Sequence, residues 1–222
     1  MHWIYYGGRF FTRAALALFT RFQIRGQENI PEHGPLLVVA NHLALADPPI
    51  LGVSIDRKAM FMAKEELFRS PIPAYVVRNY GAFPVRRSGL NRDALRRAQN
   101  LFALEMALVI FPEGRRSLAR QLESAFSGAA MLAVRHCVPV LPVGIYGTEK
   151  IRGLTWWLRR PRITVNIGRP FMLPAANGKV TRADLVRHTH VIMEHIAALL
   201  PKKYRGSYGG EKTRAAEHTA GG

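Results

Sequence analysis

In the run Asn41-His42-Leu43-Ala44-Leu45-Ala46-Asp47 an imidazole and a carboxylate stand five residues apart. A histidine titrates near neutral pH and can take or give a proton, and a carboxylate on one ring nitrogen fixes the tautomer. A continuous helix would not pair them, because five residues at 3.6 per turn place two side chains about 140° apart. With His42 in a strand-to-helix turn and Asp47 opening the next helix, the chain can fold back and join them. Asp47-Pro48-Pro49 fits such a helix start, an N-cap followed by a good first-turn residue. On residue types alone two readings stand: a general base with its orienting carboxylate, or a helix cap beside a hydrogen-bonded core histidine.

If the pair is catalytic, the chain offers it no nucleophile. No Gly-x-Ser-x-Gly elbow occurs, and the single cysteine, Cys137, lies far off in an apolar helical stretch and reads as a buried thiol. A His–Asp pair without its own serine implies that the substrate brings the hydroxyl, with His42 as general base and Asp47 holding the ring.

Two further polar clusters accompany the pair. Pro112-Glu113-Gly114-Arg115-Arg116-Ser117 follows the apolar run Ala107–Phe111, just as Asn41-His42 follows Leu36–Ala40, and Gly81-Ala82-Phe83-Pro84-Val85-Arg86-Arg87 offers a third wall. Both apolar runs, and Ala59–Ala63, lack alternation, as strands buried on both faces do. Val138–Ile145 reads as a fourth, its prolines suggesting an edge or irregular position. Helical periodicity fills Asn91–Met106, Gly128–Cys137 and Arg182–Leu200. Strands alternating with helices predict an α/β domain, a mostly parallel mixed sheet flanked by helices. Ligand crevices of such sheets form at the carboxyl ends of strands, which is where both clusters fall. Most arginines of so basic a chain are solvated surface charges, and strand-end position is what separates Arg87 and Arg116 from the rest.

The formal net charge of +17 predicts anionic partners: phosphorylated small molecules, anionic lipid or nucleic acid. No block of interleaved arginine and aromatic residues and no DNA-reading helix is present, so nucleic acid is not expected. Residues 1–21 mix Trp3, Tyr5, Tyr6, Phe10, Phe11, Leu16, Leu18 and Phe19 with Arg9, Arg13 and Arg21, too short an apolar run to span a bilayer. They read as an amphipathic helix, either at a membrane interface with arginines reaching headgroups or packed on the domain. The segment 151–162, with Trp156, Trp157, Arg159 and Arg160, is a second candidate contact. Residues 22–200 read as one domain and 201–222 as a flexible basic tail. His188, His190 and His195 lack a metal-binding pattern and read as residues of a mostly exposed helix, so no metal is predicted.

Four blocks, in order, resemble the glycerolipid acyltransferases, particularly the bacterial 1-acyl-sn-glycerol-3-phosphate acyltransferases. They are Asn41-His42-x4-Asp47, Gly81 to Arg87, Phe111-Pro112-Glu113-Gly114-Arg115-Arg116-Ser117 and Val138-Pro139-Val140-Leu141-Pro142-Val143. The third departs from the family's Phe-Pro-Glu-Gly-Thr-Arg-Ser in placing Arg115 where the family has threonine. The resemblance implies an acyltransferase domain over 22–200, with His42 and Asp47 catalytic. It implies transfer of a fatty acyl group from acyl-CoA or acyl carrier protein to the free hydroxyl of 1-acyl-glycerol-3-phosphate, forming phosphatidic acid. Arg87, Glu113, Gly114 and Arg116 would surround the acceptor's phosphate, with Arg86 and Arg115 adding charge. No cofactor is implied beyond the thioester co-substrate, and attachment would be peripheral, at the cytoplasmic face of a membrane. Another lysophospholipid acceptor is the near alternative, and a non-catalytic binder of anionic lipid or nucleic acid the distant one.

Overall fold

The computed structural model describes residues 3–85, 92–174 and 180–209. Strand β2 (Leu36–Ala40) is buried along its whole length. Its side chains alternate between two cores. Leu37 and Val39 join Leu108, Ile110 and Val140 in one, while Leu36, Val38 and Ala40 join Val109, Leu141 and Val143 in the other. A strand apolar at every position is what a sheet covered on both faces requires.

That sheet has seven strands: β1 (Arg21–Arg25), β2, β3 (Ala59–Lys64), β4 (Ala82–Val85), β5 (Ala107–Ile110), β6 (Val140–Tyr146) and β7 (Arg162–Ile167), in the order β1-β7-β6-β2-β5-β3-β4. All its ladders are parallel except β6–β7. Helices α4 (Arg92–Ala103), α5 (Gly128–His136) and α6 (Arg182–Ala198) cover one face. The other face carries α1 (Trp3–Phe19) and α2 (Asp47–Ser54), with α3 (Pro71–Asn79) beside α1. This is the mixed, mostly parallel architecture expected from the sequence.

Strand β6 differs from expectation: it is central, between β7 and β2, despite Pro142. The Pro142 carbonyl accepts from Gly168 N–H at 2.9 Å, so the imide nitrogen faces the β7 side as well. There β7 has already ended at Ile167, and no ladder position needs the missing donor.

Three other readings change. Cys137 is exposed, because it ends α5 in the left-handed conformation at φ 49° and turns the chain outward. Of the three histidines of α6, His188 is buried, whereas His190 and His195 are exposed as expected, the His195 ring stacking on Phe171 at 3.9 Å. Residues 201–209 are not tail: they form short 3-10 turns at Lys202–Tyr204 and Gly206–Gly209, with Tyr204 buried. The remainder of that segment, 210–222, lies outside the described residues.

The arginines of α1 also turn inward. Arg9 donates to Ile55 O at 3.2 Å and meets Asp56 at 3.4 Å, and Arg13 donates to Val53 O at 3.3 Å. These carbonyls sit at the C-terminal end of α2, where unpaired acceptors and the negative end of the helix dipole attract a guanidinium. The aromatics Tyr6, Phe10 and Phe11 of α1, together with Leu18, remain exposed.

Strand direction decides what meets at the functional edge. Since β1 and β7 run opposite to the other five, the C-terminal end of α1 and the segment 147–161 reach the same rim as the carboxyl ends of β2, β5 and β6. A 3-10 turn at Trp156–Arg159 is fixed to α1 there. Phe19 lies edge-on to Trp156 and Trp157, with centroids 6.4 and 6.1 Å away, and Arg160 donates to Ala17 O at 3.3 Å.

Candidate active site

At the carboxyl end of β2 the side chain of Asn41 turns inward and pairs with the backbone of β6. Its amide donates to Ile145 O at 2.8 Å and its carbonyl accepts from Ile145 N–H at 2.7 Å. This clamp fixes where the chain leaves the sheet. The next residue, His42, begins a turn that ends at Asp47, the first residue of α2. Asp47 does not cap α2 with its side chain. It folds back instead, and Oδ2 meets His42 Nδ1 at 2.8 Å, Leu43 N–H at 2.6 Å and Ala44 N–H at 2.7 Å. The helix-cap reading therefore gives way to a pairing made across the turn, while Pro48 and Pro49 occupy first-turn positions of α2 where no donor is needed.

The Asp47 side chain is wholly buried, whereas that of His42 keeps 15% exposure. With Nδ1–H donating to Asp47, Nε2 is left as the acceptor on the imidazole. Phe111 stacks on the ring at 4.3 Å between centroids and 24° between planes, holding its orientation from the β5 side. Nothing in the sequence pattern pointed to Phe111 or Asn41 as supports. Both are single residues whose partners lie far along the chain.

A second loop, leaving β5, is joined to the first by main-chain bonds. Glu113 is 1% exposed and holds both loops: Oε1 accepts from His42 N–H at 3.0 Å and Oε2 from Glu123 N–H at 3.0 Å. Ser117 N–H donates to His42 O at 2.8 Å. Burial pushes the Glu113 carboxyl up to about 7, the two backbone donors only partly offsetting it and the Glu123 and Asp47 charges adding to it. A carboxylate so enclosed, with both oxygens engaged, positions the loops and presents neither oxygen to a ligand. Gly114, at φ +64°, lies against the Phe126 ring, where an added Cβ would come within 2.8 Å of a ring carbon.

The adjacent arginines separate by partner. Arg115 is committed to Glu123, with contacts of 3.0 and 2.7 Å. Arg116 is exposed and, among the described residues, forms no ion pair. It is one residue from the Ser117 amide that holds His42, so a free guanidinium stands beside the imidazole's loop. Arg86 and Arg87 lie outside the described residues; the strand that leads to them, β4, ends at the same rim. The structure thus brings His42, Asp47, Glu113, Gly114, Arg115 and Arg116 together.

Among the described residues no side chain here serves as nucleophile. The Ser117 hydroxyl donates to Gln121 O at 2.6 Å and accepts from Gln121 N–H at 3.2 Å. Cys137 precedes β6, at the opposite edge of the sheet. What remains among the described residues is a base oriented by a buried carboxylate, on a turn bonded to the loop that carries the exposed Arg116.

Comparison with known proteins converges on one family. A sequence profile described as Acyltransferase matches residues 21–146, more than half of the chain. The 1-acyl-sn-glycerol-3-phosphate acyltransferase of Streptococcus pneumoniae is 31% identical over 136 residues, 60% of this chain and 49% of that protein. The chloroplastic 1-acyl-sn-glycerol-3-phosphate acyltransferase of Arabidopsis thaliana is 32% identical over 136 residues, 60% of this chain and 38% of that protein. The match therefore spans less than half the length of these curated relatives. The crystal structure of the 1-acyl-sn-glycerophosphate acyltransferase of Thermotoga maritima superposes with a TM-score of 0.63 at 27% identity, covering 87% of this chain and 78% of that one.

Proposed function

Because this chain belongs to the acyltransferase family, we propose that it transfers a fatty acyl group from a thioester, acyl-CoA or acyl-acyl carrier protein, to the free hydroxyl of 1-acyl-glycerol-3-phosphate, giving phosphatidic acid. The observation that carries this reading is the 2.8 Å contact between His42 Nδ1 and Asp47 Oδ2, on a turn bonded to the loop of Arg116 and, among the described residues, without a protein nucleophile beside it. The named relatives act as support for the acceptor.

The chemistry follows from the geometry. His42 Nε2 removes the proton from the acceptor hydroxyl as its oxygen attacks the thioester carbonyl. The tetrahedral adduct collapses with loss of the thiolate, which takes the proton back from the imidazolium and leaves as free thiol. One ester forms, one thioester breaks, and no acyl-enzyme is made. Asp47 keeps the proton on Nδ1 and stabilises the transient imidazolium. Arg116, charged at any working pH and shaped for bidentate contact, takes the acceptor's phosphate. Arg115, tied to Glu123, stiffens that loop instead, and Glu113 sets its distance from His42. Arg86 and Arg87 are assigned to the same anion by the family resemblance alone.

An acceptor carrying a fatty chain resides in a bilayer, and we assign the docking face to the outer side of α1 with the Trp156–Arg159 turn. Phe10 is 69% exposed, Phe11 72%, Leu154 95% and Leu158 63%. Arg152, Arg159, Arg160 and Arg162 are exposed on the segment that carries Leu154 and Leu158, and no Asp or Glu occurs between Lys150 and Arg182. Exposed apolar side chains with cations on the same segment suit the headgroup zone of an anionic leaflet. Among the described residues no helix is long and apolar enough to cross a membrane. We assign the contact as a peripheral one on the cytoplasmic side, where thioester donors are found. Residues 1–21 are read as this interfacial element, 22–200 as the acyltransferase domain.

The test is a panel of donors and acceptors with the purified protein in mixed micelles. The reading expects thiol release that requires both thioester and lysophosphatidate, with phosphatidic acid as product. Absence of transfer to lysophosphatidate, or transfer only to another lysophospholipid, would overturn the acceptor assignment. Absence of transfer to any acceptor would overturn the enzyme.

A further inference from the structure

The loop that holds Glu113 and Arg116 runs from 111 to 127, between β5 and α5, with no regular structure of its own. Loops beyond ~12–15 residues are uncommon in compact domains and are ordinarily functional, so what keeps this one in shape matters. Its base is held by Phe126 N–H on Pro112 O at 2.9 Å and by Glu113. Its middle is held from outside. Leu122 N–H donates to Tyr204 O at 2.8 Å. The Tyr204 hydroxyl donates to Glu149 Oε1 at 2.7 Å, and Glu149 Oε2 accepts from Gly147 N–H at 2.9 Å, just past β6.

Tyr204 and Glu149 are both buried. The Tyr204 phenol is thus bonded to the sheet while its carbonyl holds the loop. Gly206, two residues on, stands so close to Leu122 that a Cβ would lie 2.2 Å from the Leu122 carbonyl oxygen. Burial, reinforced by the charge of Glu113, raises the Tyr208 hydroxyl, so this segment comes within electrostatic reach of the loop's buried carboxyl. None of these groups takes part in the proton transfer proposed above.

We propose that the segment Tyr204–Tyr208 is a brace that sets the shape of the 111–127 loop, with Tyr204 and Gly206 as positioning residues for acceptor binding. The proposal rests on the reading of that loop as the holder of the acceptor's phosphate. His42 meets this loop at Phe111, Glu113 and Ser117 but is also held from outside it, by Asp47 and by the Asn41 clamp on β6, whereas Arg116 depends on the loop's own shape. Loosening the brace therefore weakens binding of the phosphorylated acceptor more than it slows the chemical step, and leaves the thioester donor unaffected.

Gly206→Ala forces backbone against backbone at Leu122, and Tyr204→Phe leaves Glu149 Oε1 buried without its donor. Hydrogen–deuterium exchange of peptides covering 113–126 is measured on each full-length variant, alongside steady-state kinetics with lysophosphatidate and acyl-CoA. Losing the equivalent of one net hydrogen bond should speed exchange in 113–126 by about fivefold and raise the lysophosphatidate KM by about the same factor, with donor KM unchanged and kcat changed by less than about twofold. If Gly206→Ala does not fold, Tyr204→Phe carries the same test. Wild-type exchange and wild-type acceptor KM in a folded variant would overturn the brace, as would equal rises in both KM values. Were the wild-type protein inactive on lysophosphatidate, the proposed function would fail, while exchange alone would still decide whether the brace exists.

Discussion

Replacing Asp47 with asparagine changes a single charged group at the centre of the catalytic turn, and the structure allows its two consequences to be separated. Asp47 is wholly buried, with Oδ2 accepting from His42, Leu43 and Ala44 and Oδ1 without a partner. An asparagine carbonyl placed at Oδ2 retains the two backbone donors, which puts its amide nitrogen where Oδ1 was, facing no acceptor. A buried unpaired donor costs about 1–3 kcal/mol, so the variant should fold with a lowered urea midpoint. The chemical penalty is larger. A neutral oxygen neither stabilises an imidazolium nor enforces the tautomer that leaves Nε2 free. In the serine-protease triad the equivalent change lowers kcat about ten-thousandfold with geometry intact, or about 5.4 kcal/mol. Direct transfer through His42 uses the same imidazolium, so kcat should fall about a thousandfold to ten-thousandfold with acceptor KM within about threefold of wild type. The assay is thiol release from acyl-CoA in the presence of lysophosphatidate, on protein whose near-ultraviolet circular dichroism is native. A folded Asp47→Asn protein with kcat within about tenfold of wild type would reduce Asp47 to a brace of the turn and refute the reasoning.

Glu113 gives a pH signature: its folded-state value of about 7 lies above the ordinary 4.5. The native state holds this proton more tightly, so the group's stabilising contribution is complete below pH 4.5 and is lost as pH rises to about 7. The loss is about 3 kcal/mol. Urea unfolding of Glu113→Gln should lack that slope, and parallel stability profiles would refute the assignment. Arg116→Ala should raise acceptor KM about tenfold or more at unchanged donor KM, while Arg115→Ala, which loses an exposed ion pair worth at most about 1 kcal/mol, should do much less. Equal effects in steady-state kinetics would contradict the division of labour. Phe10→Ser combined with Phe11→Ser should weaken sedimentation with anionic vesicles without changing thermal stability, and unchanged binding would remove α1 from the docking face.

Much of this was legible in the residues. The uniformly apolar pentad Leu36–Ala40 announced a strand covered on both faces, and the polar clusters that follow β2 and β5 announced a common rim. The prolines of β6 misled, because nothing local to them shows that β7 stops beside Pro142. Cys137 looked buried in an apolar helix, but the helix ends there in a left-handed residue. The fold-back of Asp47 onto His42 was one of two open readings, decided only when the turn supplied the Leu43 and Ala44 amides. Arg115 and Arg116 were indistinguishable in sequence, and Glu123, eight residues further on, separates them. The pairing of Leu122 with Tyr204 joins residues far apart in the chain, and no local pattern encodes it.

The most direct test of the central claim, that His42 takes the proton from the acceptor's own hydroxyl, is single-turnover acyl transfer by His42→Ala. The ring is partly exposed and its backbone bonds to Glu113 and Ser117 survive the substitution. The variant should therefore fold and bind vesicles as the wild type does. Transfer to lysophosphatidate should fall by about a thousandfold or more. Transfer at the wild-type rate by the folded variant would contradict the account.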